Sequence, residues 1–279
     1  MKFTQTEKKQ LMIYVIVAYG ITYVLGLLMW YGYGKGLDLS AFPNAQMLYP
    51  AAGVMMAYLI TRKRDKKLPK VFYIFFVALT AAMVVCTAAS VLAPVNIDIM
   101  GTPFSQWMLI LQYVMIGGSI VFWILLLVSG KEKRRAYGLN SNQWSTSVLM
   151  ILLFIGLYLL RLVIASALGG QLSEFGKIMA NPTTWIMFFT VLLNFFLAVV
   201  AFFGEEYGWR YYLQPLLQKR FGLKGGVILL GCVWAVWHLP IDFFYYTTPD
   251  MGLAALASQF ITCITIGLFM AYAYMKTQN

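Results

Sequence analysis

The chain has 279 residues, 61% of them hydrophobic and only 11% charged, with a formal net charge of +11. Soluble domains carry roughly a quarter charged residues, so this composition excludes a soluble enzyme, a disordered tail and a nucleic-acid module, and leaves a polytopic membrane protein. Cys86, Cys232 and Cys263 lie in apolar runs without CxxC spacing, so they read as small buried hydrophobes rather than a disulfide framework or zinc ribbon.

A spanning helix needs about 20 mostly apolar residues. Charge-free runs predict such helices at roughly 11–31, 44–61, 71–92, 107–129, 147–168, 184–207, 226–245 and 252–275. The expected fold is all-α, a polytopic transmembrane helical bundle of about eight spanning helices. The runs are too long for barrel strands and lack their alternation. The first run has no small-x-small cleavage site and reads as an uncleaved helix. Loop 93–106, with Pro94, Gly101 and Pro103, reads as a turn, and loop 169–183 as another. The stretch 136–146 reads as an interfacial lead-in with Ser145 capping the next helix. Gly117 and Gly118 suggest close helix packing, and Tyr211–Arg220 reads as an amphipathic interfacial segment. Arg161 is read as a structural pairing residue.

Basic residues fix the expected orientation. Cytoplasmic loops collect Lys and Arg. A cytoplasmic N-terminus with Lys2, Lys8 and Lys9 puts the clusters at 62–67 and 131–135, then Lys219, Arg220, Lys224 and Lys276, on the same side. Lys35, Lys177, Asp38, Asp98, Glu174, Asp242 and Asp250 then fall outside. The excess charge becomes a topology signal with a contact to anionic lipid. The expected location is an integral, multi-pass membrane position, the plasma membrane if the source is bacterial, with the bilayer as partner and no nucleic acid.

Ionisable groups inside a membrane are costly and are functional candidates by default. Glu205-Glu206-Tyr207-Gly208-Trp209-Arg210 is the richest segment. On a helix Glu206 and Arg210 stand at i and i+4 and can pair, while Glu205 points about 100° away. Asn194, eleven residues before Glu205, shares its helix face. One carboxylate is thus neutralised and the other is free to act as a general base; equally, the cluster can simply end a helix. The sole histidine, His238, precedes Pro240, which ends or kinks its helix. It is either a site residue or a buried histidine bonded to a carbonyl. Trp234 and Trp237 read as packing. Counting along straight helices puts Glu205 and His238 about 18 Å apart in depth, which a longer sixth helix would remove. HExxH is absent, and one histidine with two divergent glutamates and Asp242 is a thin zinc set. No cofactor is expected with assurance; a divalent metal such as zinc, held by Glu205 and His238, is the alternative.

Taken together, Glu205, Glu206 and Arg210, then Trp234 and His238 in Trp-Ala-Val-Trp-His-Leu-Pro, resemble the CPBP family, the CAAX-protease and bacteriocin-processing (Abi) intramembrane endopeptidases. Its motifs EExxxR and FxxxH are matched, with Trp234 in place of Phe, over about 183–275. The family's third motif, a histidine followed four residues later by Asn, has no counterpart here: either it lies on a ninth helix beyond Asn279, or the chain diverges from the family at that group. The resemblance divides the chain into 1–146, helices one to four with basic loops, and 147–279, a CPBP-like catalytic core without the last motif helix. It implies an intramembrane endopeptidase acting on a membrane-associated peptide or protein. Glu205 would activate water, His238 would orient it or pass on a proton, and Glu206 with Arg210 would hold the constellation. The alternative is a non-catalytic membrane protein, such as a bacteriocin-immunity or peptide-binding protein.

Overall fold

The computed structural model describes residues 2–99 and 101–278. Helix α1, Gln5–Gly34, opens on a capping box: the Thr4 hydroxyl accepts the Glu7 N–H at 3.1 Å, and the Glu7 carboxylate accepts the Thr4 N–H at 2.8 Å. A π-helical turn interrupts it at Ile16–Gly20. The expected second span is two pieces, α2 (Ala41–Gln46) and α3 (Tyr49–Thr61). The helix restarts at Tyr49 with Pro50 in its first turn, where a missing N–H costs nothing. Thirteen residues rise only about 20 Å, short of a bilayer core of about 30 Å, so α3 does not qualify as a span.

Helices α4 (Lys70–Leu92) and α5 (Gln106–Val128) follow the expected bounds. Between them the expected turn is a hairpin, β1 (Asn96–Ile99) against β2 (Thr102–Ser105), antiparallel, with Gly101 at φ +82° donating its N–H to Asp98 Oδ1 at 2.7 Å. A short α6 (Lys131–Ala136) leads to α7 (Trp144–Leu168), whose N-cap is Gln143, so Ser145 lies inside the helix rather than capping it. The second expected turn holds a helix, α8 (Leu172–Ala180), bent by 71° from α9 (Pro182–Leu197). The sixth expected span breaks at Ala198 (φ −119°, ψ 23°) and resumes as α10 (Val199–Glu206). It winds through a π-helical segment at Tyr207–Leu213 into α11 (Gln214–Phe221). Gly222, at φ +80°, reverses the chain into α12 (Leu223–Trp237). A 46° bend then separates α12 from α13 (Leu239–Tyr246), and α14 (Gly252–Thr277) closes the chain.

The architecture is an all-α polytopic bundle, with five helices among the described residues long and apolar enough to cross a membrane, or up to seven if each bent pair is one span. That is fewer than eight because α2 and α3 are too short to make the second span, while the regions of the sixth and seventh enter the count only as bent pairs. The core joins α1, α3, α4 and the segment 199–217, with Tyr14, Met55, Tyr73, Val200 and Trp209 buried. Gly118 on α5 packs under Leu79 of α4, while Gly117 meets nothing. Gln10 donates to Thr61 Oγ1 at 2.8 Å, Tyr137 to Asp65 at 2.6 Å, and Lys219 pairs with Glu7 at 2.6 Å. These bonds tie the start of α1 to the end of α3 and to α11, and the loop after α3 to Tyr137.

Candidate functional site

The EExxxR segment sits where α10 passes against α3. A side chain at Gly204 would meet the Met47 carbonyl, and one at Gly208 would run into Pro50. These two glycines let the backbones touch. The residue after Gly208, Trp209, is fully buried, edge-on to Trp237 with ring centroids 5.4 Å apart. That contact removes the depth mismatch: the chain stays helical below Glu205 as far as Phe221, so α10 to α11 runs beside α12.

Glu206 and Arg210 pair as their spacing expects, Oε2 to Nε at 3.2 Å. Arg210 is 3% exposed, and its guanidinium lies over the Trp234 ring at 4.7 Å. Its two terminal nitrogens are buried without an acceptor. Glu205, on the other side, is half-buried, and its charged neighbours are Glu206 and Arg210. The Trp234 indole N–H, without an acceptor in close hydrogen-bond geometry, is turned toward the Glu205 carboxylate. Asn194 does not join them. The break at Ala198 destroys the shared face, and α9 has no buried residue.

His238 caps the end of α12. Its Nδ1 lies 2.8 Å from the Trp234 carbonyl, which can only accept, so Nδ1 carries the proton and Nε2 keeps its lone pair. The carbonyl bond expected of a buried histidine is therefore present, and it also orients the free nitrogen. A proline has no N–H to give the carbonyl four residues before it. Pro240 therefore leaves the Val236 carbonyl without its helical donor, and the Tyr23 hydroxyl donates to it instead at 2.8 Å. Gln46 donates to the Trp237 carbonyl at 2.9 Å and Tyr19 to that of Val233 at 2.6 Å. The Trp237 indole donates to the Ala18 carbonyl at 3.1 Å, inside the π-helical turn of α1. Both motif segments run straight into π-helical turns, at Tyr207–Leu213 and Asp242–Tyr246, a feature frequent at functional sites.

Trp234 is the residue that unites the set: its carbonyl holds His238, its indole N–H addresses Glu205, and its face carries Arg210. Its matching place in the second motif was a signal for this; composition suggested only packing. Tyr19, Tyr23 and Gln46 were not legible as supports, because an aromatic or a lone glutamine in an apolar run gives no hint of which distant carbonyl it meets. Asp242, expected near the outer end of the helix 226–245, is 1% exposed with Oδ2 unpartnered. It lies within electrostatic reach of Tyr246 and Cys263, as does Glu205. The helix continues past Pro240 as expected, but the 46° bend before α13 buries the residue. Arg161 makes no ion pair among the described residues and lies 5.8 Å over the Tyr158 ring.

A cavity of about 300 Å³ adjoins the segment, lined by Glu206, Arg210, Tyr207, Tyr211 and Tyr274; Glu205 is not among its lining residues. Among the described residues no three His, Cys, Asp or Glu side chains converge as a metal-ligand group. Arg210 already occupies Glu206, so the donors present do not fit a zinc ion held by the protein alone.

A buried carboxylate, guanidinium and histidine at helix breaks in a polytopic bundle define a membrane protein with a polar intramembrane centre. The family comparison falls on the segment that holds these residues. Residues 183–279 match the family model described as type II CAAX prenyl endopeptidase Rce1-like. The chain is also similar to CAAX prenyl protease 2 of Methanococcus maripaludis, 25% identical over 183 residues, covering 62% of this chain and 66% of the relative, just under two thirds of its length. No solved structure matches. The match of the last third of the chain to an Rce1-like model is in line with the resemblance to the CPBP family that the two motifs carry.

Proposed function

We propose that this chain is an intramembrane endopeptidase of the CAAX type, with the chemistry in 147–279 and the helices of 1–146 as its scaffold. The observation that supports this reading is the set of contacts at Trp234: its ring carries Arg210 at 4.7 Å, its carbonyl meets His238 Nδ1 at 2.8 Å, and its indole N–H is within reach of Glu205. The family match and the relative's name support the reaction class.

In this reading Glu205 takes a proton from water as the water oxygen attacks the scissile carbonyl carbon. Arg210 stays charged and pinned by Glu206, and its unpartnered terminal N–H groups receive the developing oxyanion. Donors fixed in advance at a developing charge are worth about 3–4 kcal/mol each. His238, with Nε2 free, orients the water and relays the proton to the leaving amine as the C–N bond breaks. The products are a new carboxylate and a free amine. No step runs through a metal.

The substrate class is a membrane-associated peptide or protein, and the name of the relative directs attention to a prenylated C-terminal segment. The basic loops face the cytoplasm, with the N-terminus on that side, in keeping with the sorting of positive charge.

The test is cleavage of a prenylated peptide by the purified chain. Glu205→Gln lowers turnover by about two to four decades, the range for loss of a general base, with substrate binding little changed. Glu206→Gln reduces folded yield more than it reduces turnover per folded molecule. The reverse ranking would exchange the roles of the two glutamates, and unaltered turnover in both would end the mechanism.

A further inference from the structure

We propose that the pocket framed by Lys131, Arg134 and Arg135 is a binding site for the headgroup of an anionic phospholipid. The pocket encloses about 350 Å³ immediately beyond the end of α5, a candidate membrane span. That lies in the usual range for small-molecule sites, about 300–1,000 Å³. Three cations line it together with Asn140, over an apolar floor of Leu126 and Leu139. A phosphate on a glycerol backbone has this same two-part character.

The cations are unpaired. No ion pair is made by Lys131, Arg134 or Arg135 among the described residues, and Arg134 Nε is buried without a partner. Glu132 on the same helix makes no ion pair with them among the described residues, and Asp65 of the preceding basic loop accepts the Tyr137 hydroxyl at 2.6 Å and the Lys67 N–H at 2.8 Å.

The frame is also held in place. Tyr137 is 1% exposed, and its carbonyl accepts the Tyr207 hydroxyl at 2.8 Å. Gly138 turns at φ +62° with the Tyr211 ring against its Cα, so no side chain fits there. The cations following α5 thus sit on the short helix α6, anchored at its end by Tyr137, not on a free tail. A basic cluster beside a membrane span attracts anionic lipid by about 1 kcal/mol per Lys or Arg.

The experiment uses the purified full chain in neutral detergent, titrated with dioctanoyl phosphatidylglycerol, dioctanoyl phosphatidylcholine and inorganic phosphate, and followed by native mass spectrometry. Expected is one phosphatidylglycerol per chain, with phosphatidylcholine much weaker and phosphate unable to displace it. The triple variant Lys131→Gln, Arg134→Gln, Arg135→Gln should weaken phosphatidylglycerol binding about a hundredfold. The control triple Lys63→Gln, Arg64→Gln, Lys67→Gln, on the neighbouring loop, should leave it nearly unchanged. Equal losses in both triples would show a diffuse basic surface and overturn the site. Displacement by phosphate alone would overturn the lipid assignment. Should the first triple fail to fold, Arg134→Lys keeps the charge and removes the buried guanidinium nitrogen; several-fold weaker binding supports the site, and unchanged binding overturns it.

Discussion

Helix α7 and helix α3 invert what hydropathy leads one to expect. α7 is the most apolar of the candidate spans, yet it buries no residue, and neither do α8 and α9. The short α3 is buried along most of its length. The panel 144–197 leans on the rest at a few ring contacts, Phe154 with Phe269 and Trp123 with Phe196. Lipid tails are as apolar as leucine, so nothing drives a leucine-rich helix out of lipid; small residues that let backbones touch do decide packing. The motif helix follows that second rule, with Gly204 and Gly208 against α3.

Glycine substitutions would break this contrast most visibly. Gly208→Ala forces a methyl into Pro50 where backbone stands in the way, so it should cost at least the upper part of the usual 1–3 kcal/mol for overpacking, roughly 3 kcal/mol. Gly156→Ala on α7 meets nothing within 4 Å and should be neutral or stabilising by up to about 1 kcal/mol through helix propensity. Thermal melts of the two proteins in one detergent check this; equal melting temperatures would erase the distinction between panel and core.

Next in size is Arg210→Ala. It strips Glu206 of its partner in a packed segment. Glu206 retains 36% exposure, so the loss should fall below the 3–5 kcal/mol of a fully buried pair, at about 2 kcal/mol. Exchanges within the outward face of α7, such as Leu152→Val, should stay within about 0.5 kcal/mol. Chemical denaturation of both variants in the same micelle measures the gap.

Smallest is a pH effect in the basic loop that holds Asp65. The Tyr137 hydroxyl, then the Lys67 N–H, hold the Asp65 carboxyl below its ordinary value of 3.8. Burial first, then the bond to Asp65, pushes the Tyr137 phenol up to about 12. A carboxyl depressed in the folded state adds stability above its unfolded value and loses that contribution as pH falls through the folded one. Asp65→Asn should therefore melt slightly below wild type at neutral pH and together with it once the medium is more acidic than the folded carboxyl. A melting difference that persists in strong acid would place the effect elsewhere.

Much of this was legible in the residues. Charge-free runs located the true spans because the bilayer demands length and apolarity, and the i, i+4 spacing located the Glu206–Arg210 pair. Pro240 correctly marked the end of the histidine helix. What escaped were features set by contacts distant in sequence. The break at Ala198 has no proline to announce it, so the face shared by Asn194 and Glu205 was an artefact of assuming one straight helix. The burial of Asp242 depends on where a 46° bend directs α13. The carbonyl caps from Tyr19, Tyr23 and Gln46 depend on which helix happens to lie opposite.

The central claim is that the two motif segments, joined at Trp234, act as one unit. Single-turnover cleavage by wild type, Glu205→Gln, His238→Ala and the double variant measures it most directly. Each single change should cost about two to four decades, and the double little more than either, as groups that act together do. Full activity in Glu205→Gln, or losses that multiply in the double variant, would contradict it.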